Sequence, residues 1–94
     1  MSNENTLGRR ETVRRATLQF LANRQALQFD PDTIMFRLND AKKYDYVFTR
    51  EDLDSALSFL HGSKWVERIP STTGAMIFFR ATSEGVLAVE QGQV

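Results

Sequence analysis

Residues 49–69 carry two distinct rhythms of apolar and polar positions, and the rest of the chain is arranged around them. Leu53, Ala56, Leu57 and Leu60 recur at i, i+3, i+4 and i+7, which lays one apolar stripe along an α-helix. Thr49 stands where an N-cap belongs, since its hydroxyl can accept from the backbone N–H of Asp52. Asp52 can return that bond as a shortened capping box, and Phe48 and Leu53 are spaced as a hydrophobic staple. Gly62 occupies the place of a left-handed C-terminal cap, so the helix is expected to end at about His61. Residues 64–69 then favour a strand through Trp65, Val66 and Ile69. Residues 70–74 are turn chemistry, and residues 75–81 read as a second strand that completes a hairpin.

Upstream, residues 9–23 read as a helix that buries Val13, Ala16, Thr17, Phe20, Leu21 and the stem of Arg24. Residues 1–8 are expected to be a flexible tail. Residues 25–29 alternate apolar and polar, which suits a short strand or an extended connection. Asp30, Pro31 and Asp32 then start a second helix, with a cap, a favoured first-position proline and a carboxylate at the positive end of the dipole. It is expected to reach Ala41 with Ile34, Leu38 and Ala41 inward, although Met35 and Phe36 cannot both face that core. Residues 42–48 suit either a loop that pins Tyr44 or Tyr46 against the body, or an extra helical turn. Downstream, Thr82 caps a short last helix with Glu84 in its first turn and Val86, Leu87 and Val89 as apolar positions. One domain over residues 9–91 and a tail over 92–94 follow.

Composition narrows the possibilities. The chain has 94 residues, no cysteine and a hydrophobic fraction of 41%, so a disulfide framework and thiolate metal sites are excluded. No apolar run approaches a membrane span, and no signal-peptide core precedes the first helix, so a cytoplasmic protein is expected. The formal net charge is zero, but residues 1–43 hold eight basic and five acidic side chains while residues 44–94 hold four and seven. Arg9, Arg10, Arg14, Arg15 and Arg24 in the first helix are balanced there only by Glu11. That asymmetry bears on partners more than the total does.

The expected order is helix, short strand, helix, helix, strand, turn, strand, short helix. It resembles an α+β winged helix-turn-helix domain, with a three-helix core, a β-hairpin wing and a short C-terminal helix. The run Leu57-Ser58-Phe59-Leu60-His61-Gly62-Ser63-Lys64-Trp65-Val66-Glu67-Arg68 resembles the L-x-x-L-x-x-x-G-L-V-E-R pattern of bacterial regulators of the MarR and PadR kind. Lys64 stands in the glycine position of that pattern and Trp65 in the following leucine position. The segment from Arg80 to Gly85 is similar to the L-T-x-x-G that closes the wing in such proteins.

The resemblance implies DNA binding, with the third helix in the major groove and the wing on the backbone or minor groove. The matching positions are Thr49, Arg50, Asp54, Ser55, Ser58 and His61 on the helix, and Lys64, Arg68 and Arg80 on the wing strands. The helix's own charges oppose it, because Arg50 faces Glu51, Asp52 and Asp54 and leaves a net of −2. The wing tip from Ser71 to Gly74 carries no charge. Phosphate attraction would then rest on Arg9, Arg10, Arg14 and Arg15, with Lys42 and Lys43, unless those side chains only form a solvated helix face.

A protein-interaction module is the alternative, and an acidic third helix suits it. Strand alternation separates Ile77, Phe79 and Ala81 from Met76, Phe78 and Arg80. Met76 and Phe78 are therefore a candidate partner surface, unless the last helix covers them. A homodimer is expected on the DNA reading, through the first or last helix, because one module reads only a half-site. Enzymatic chemistry finds no footing. The lone His61 suits a helix C-terminus, the carboxylates 51, 52 and 54 suit capping, and no phosphate loop, nucleophile elbow or metal-ligand spacing occurs. No cofactor is expected, and a core this small leaves little room for a ligand pocket.

Overall fold

The computed structural model describes the backbone of residues 3–94 and the side chains of residues 8–94. The elements run α1 (Asn3–Ala22), α2 (Pro31–Asp40), α3 (Arg50–Gly62), β1 (Val66–Pro70), β2 (Ile77–Ala81) and α4 (Ser83–Glu90). Of the expected N-terminal tail, Met1 and Ser2 lie outside the described residues, while α1 takes in residues 3–8. No helix among the described residues is long and apolar enough to cross a membrane.

α1 is the central element, packing against α2, α3, α4 and β2. The expected buried face is present, but Leu18 is also fully buried, which an amphipathic surface helix would not require. The reason is tertiary: α3 covers one side of α1 and α4 another, so the apolar sector is wider than one stripe. α2 buries Ile34 and Leu38 beneath it. Met35 packs partly against the core and Phe36 is left exposed. Ala41, expected inward, is exposed because α2 ends at Asp40 and Lys42 turns the chain into a left-handed conformation at φ 53°.

Of the two alternatives for residues 25–29, the strand is not formed. Turns at residues 23–26 leave Leu27 exposed, and only Phe29 bridges, exchanging both backbone hydrogen bonds with Phe79 on the edge of β2. Asp30 then caps α2 and Pro31 has no N–H to donate, so the ladder stops after one rung. Phe29 is held from below by an edge-to-face contact with Phe20, at 5.0 Å between centroids.

Residues 42–48 form a loop that is pinned twice. Tyr44 and Tyr46 both pack on the buried Phe48 ring, at 5.1 and 5.5 Å. The Asn39 amide then accepts from the Phe48 N–H at 2.8 Å and donates to its carbonyl at 2.9 Å. Those bonds satisfy a backbone that neither helix nor sheet could serve.

β1 and β2 pair antiparallel, with Val66 opposite Ala81, Arg68 opposite Phe79 and Ile69 opposite Phe78. The alternation read from the sequence holds: Phe79 and Ala81 are buried, whereas Met76 is exposed and Phe78 half-buried without joining the core. α4 does not cover that side. It buries Gly85 and Ala88, packs Val86 and Val89 against the core, and turns Leu87 outward.

The α3-to-wing junction corrects one expectation and explains the motif behind it. Gly62 is the last helical residue, and the left-handed position falls two residues later on Lys64, at φ 65°. The Trp65 N–H donates to the Leu60 carbonyl and the Lys64 N–H to that of His61, both at 3.0 Å, which is a Schellman closure centred on Lys64. Glycine suits that position because only glycine enters the left-handed region without a steric cost. Thr82 joins the same junction, donating its N–H to the Trp65 carbonyl at 3.0 Å and its hydroxyl to that of Lys64 at 2.8 Å. Its oxygen also caps α4 by accepting from Gly85 N–H at 3.0 Å. Gly85 lies directly on the Trp65 peptide, where any Cβ would collide with the carbonyl.

Two substitutions here should move stability in opposite directions in chemical unfolding. Gly85→Ala should destabilise the fold by about 1–3 kcal/mol, as overpacking against backbone does. Lys64→Gly should stabilise it by up to about 1 kcal/mol at high salt, where the favourable lysine–dipole interaction is screened and only the backbone cost remains.

Candidate nucleic-acid interface

The N-terminal end of α3 is assembled from three parts of the chain. Thr49 Oγ1 accepts from the Asp52 N–H at 3.1 Å, and Asp52 Oδ2 accepts from the Thr49 N–H at 2.8 Å, so the capping box is closed in both directions. The same Asp52 carboxylate receives Arg9 from α1, with Nη2 to Oδ2 at 2.6 Å and Nε to Oδ1 at 3.3 Å. Arg9 also donates to the Val47 carbonyl at 2.8 Å and lies over the Tyr46 ring at 4.2 Å. Hydrogen bonding from Arg9 holds the Asp52 carboxyl below the usual carboxylate range; burial opposes this, and the bonds from Thr49 reinforce it.

Asp52 is thus directed at α1, at the edge of the open depression between α1 and α3. Arg50, the one arginine of α3, is tied as well: its Nε donates to Asp54 and its Nη1 to Asp32 of α2, both at 2.9 Å. Hydrogen bonds to Asp54 first, and to Asp32 second, raise its pKa further. Among the described residues, Glu51 is left as the one carboxylate of α3 with no ion pair. Arg9 offsets Asp52, but Arg50 already stands in the sequence count of −2 and draws in Asp32, so the helix with these partners keeps that net charge.

The exposed face of α3 separates two open depressions. One, of about 380 Å³, lies between α1 and α3 and brings Arg10 and Arg14 beside Glu51 and Ser55. Arg14 reaches over Phe59 of α3 at 3.7 Å, so the α1 arginines flank the helix and do not merely form a detached solvated face. The second, of about 200 Å³, lies between α3 and the wing and groups Asp54, Ser58, His61 and Arg68 with Phe79. Ser55 and Ser58 are both exposed on the face between the two depressions.

The remaining candidates are dispersed. Arg15 donates to the Val94 carbonyl at 3.0 Å, and Arg80 pairs with Glu67 across the hairpin at 3.2 Å. Lys42 and Lys43 line the loop that follows α2, and Lys64 sits at the left-handed junction of α3 and β1. Thr49 is exposed, but its hydroxyl is committed to the cap. Phe78 lies opposite Ile69 on the outer side of the hairpin, whereas Met76, just ahead of β2, lines a depression with Ile77, Asp32 and Arg50. Among the described residues Arg10, Arg14, Lys42, Lys43, Lys64 and Arg68 form no ion pair.

Sequence reasoning missed Asp32 as a partner of Arg50 and Asp52 as the partner of Arg9. The second pair is separated by 43 positions, so no local spacing signals it. The Arg50–Asp54 pair carries an i, i+4 signature that was available.

Solved structures that share this architecture include a transcriptional regulator from Clostridium thermocellum, Cth-833, with a TM-score of 0.76 at 18% identity over 99% of this chain and 84% of that one. A mutant of ZitR from Lactococcus lactis aligns with a TM-score of 0.67 at 14% identity, over 87% of this chain and 49% of that one. The apo form of that mutant gives 0.68 at 14% identity, over 99% and 71%. No protein-family model matches the sequence, and neither does any curated protein. At these identities the likeness is one of fold, and the fold is the α+β winged helix-turn-helix.

The Asp52 node makes a prediction about acid stability. A carboxyl whose folded pKa is depressed contributes fully above its unfolded value and loses that contribution as pH falls through the folded one. Asp52→Asn should cost about 1–2 kcal/mol at neutral pH, and should flatten the stability loss below about pH 4 in unfolding titrations.

Proposed function

We propose that this winged-helix chain is a non-enzymatic DNA-binding protein of transcription, which lays α3 in the major groove and meets the flanking phosphates from α1 and the wing. The observation that carries the reading is the distribution of charge around α3. Asp52 and Asp54 are held in ion pairs, while Arg10 and Arg14 flank one side of the polar outward face and Arg68 the other. The likeness of fold to a transcriptional regulator supports the same reading. Ser55 and Ser58 are placed to meet base edges, whereas Arg10, Arg14, Arg68, Lys42, Lys43 and Lys64 supply phosphate contacts. Arg9, Arg15 and Arg80, already engaged within the fold, contribute mainly through their charge.

A second reading has its own support. The outer side of the wing presents Phe78 beside Ile69, outside the core, and the exposed Met76 stands close by in the chain, a surface for a protein partner that does not call on DNA. The two readings call on opposite sides of the hairpin.

Fluorescence anisotropy with duplex DNA separates them. Arg10→Ala and Arg14→Ala should weaken binding to all sequences alike, each lowering the slope of log affinity on log salt by about 0.9. Ser55→Ala and Ser58→Ala should alter sequence preference and leave that slope unchanged. Equal losses on every sequence from all four variants would refute the division of roles, and Phe78→Ser should leave DNA binding intact. Homodimer formation belongs to the same proposal, since paired half-sites supply the affinity that one module lacks. Sedimentation velocity showing only monomer at high protein concentration would contradict it.

A further inference from the structure

Two arginines bracket the start of α3, and they are held very differently. Arg9 is gripped by both oxygens of Asp52, the Val47 carbonyl and the Tyr46 ring, and its ion pair is mostly shielded, with side-chain exposures of 32% and 21%. Arg50 is held by Asp32 from α2 and Asp54 from α3, one bond to each at 2.9 Å. These three side chains are 50%, 65% and 56% exposed, so solvent screens both pairs and either can be broken at little cost. Arg50 also lies in the first turn of α3, and the N-terminal residues of a recognition helix are those that reach base edges.

We infer that Arg50 is a base-reading residue held in reserve, its guanidinium kept in place through Nε by Asp54 and through Nη1 by Asp32 until a guanine edge replaces them. The inference rests on the DNA-binding reading above. On the cognate site the guanidinium exchanges two screened ion pairs for a bidentate contact with guanine O6 and N7, and both carboxylates return to water. At a base pair that cannot offer two acceptors, the exchange loses bonds without replacing them, and Arg50 stays with its carboxylates. Asp32 and Asp54 therefore set a threshold that raises discrimination and lowers affinity. Arg9 is excluded from this role because its release would strip the partly buried Asp52 carboxylate of its ion pair and uncover the Tyr46 ring.

The test is a double-mutant cycle read by anisotropy on a duplex selected from a random pool by the wild-type protein. Glu51→Gln serves as control, since Glu51 is an exposed acid of the same turn without an ion pair among the described residues. Asp32→Asn should tighten binding to the selected site by roughly two- to fivefold more than Glu51→Gln does. That advantage should vanish in the Arg50→Ala background, and Arg50→Ala alone should relax preference at one G·C pair. If Asp32→Asn and Glu51→Gln act equally, or Asp32→Asn keeps its advantage without Arg50, the reserve is refuted while DNA binding stands. If neither wild type nor any variant binds duplex at low salt, the DNA reading fails and the inference fails with it.

Discussion

A single carboxylate, Asp52, fixes the element that the rest of the protein presents. It closes the capping box with Thr49 and accepts the Arg9 guanidinium, so the start of α3 and the exposed flank of α1 are set by one side chain. Phe48 is clamped by Asn39 just ahead of it, and the two loop tyrosines pack on that ring. The other end of α3 is closed as firmly, by the Schellman bonds around Lys64 and by the seat that Gly85 and Thr82 make on the Trp65 peptide. A helix fixed at both ends keeps its outward residues in one arrangement, which recognition requires more than it requires any particular side chain.

The same ion pairs reshape the electrostatics of that face. Seen alone, α3 is an acidic helix that phosphate would repel. Folded, its Asp52 is paired with Arg9 of α1, while Arg50 holds Asp54 and draws in Asp32, so the acids are fixed in place and the net charge of the cluster is unchanged. Attraction for a polyanion then has to come from the sides, where Arg10, Arg14 and Arg68 stand without carboxylate partners among the described residues. Such a layout favours modest, salt-sensitive affinity with discrimination left to a few contacts in the centre.

Much of the fold was legible because its signals are local. The stripe of Leu53, Ala56, Leu57 and Leu60, the staple of Phe48 and Leu53, the cap on Thr82 and the alternation along β2 each depend on residues within one or two turns. What escaped is what distant segments decide. Leu18 is buried because α1 is covered from more than one side, and residues 25–29 keep a single bridge because Pro31 follows so closely. Gly62 drew the left-handed position to itself by residue type, although the hydrogen bonds place it on Lys64. The candidate site was legible as a list and not as a geometry. Charge counting named Arg50 and the α1 arginines, but only the folded chain shows which of them are bound by carboxylates.

The most direct test of the central claim is to map backbone amide shifts of the labelled protein as duplex DNA is added at low salt. Binding through the proposed face predicts shifts concentrated in α3, at Arg68 on β1, and around Arg10 and Arg14 on α1, with little change at Ile69 and Phe78. Shifts confined to the outer side of the hairpin, or none at all, would contradict it.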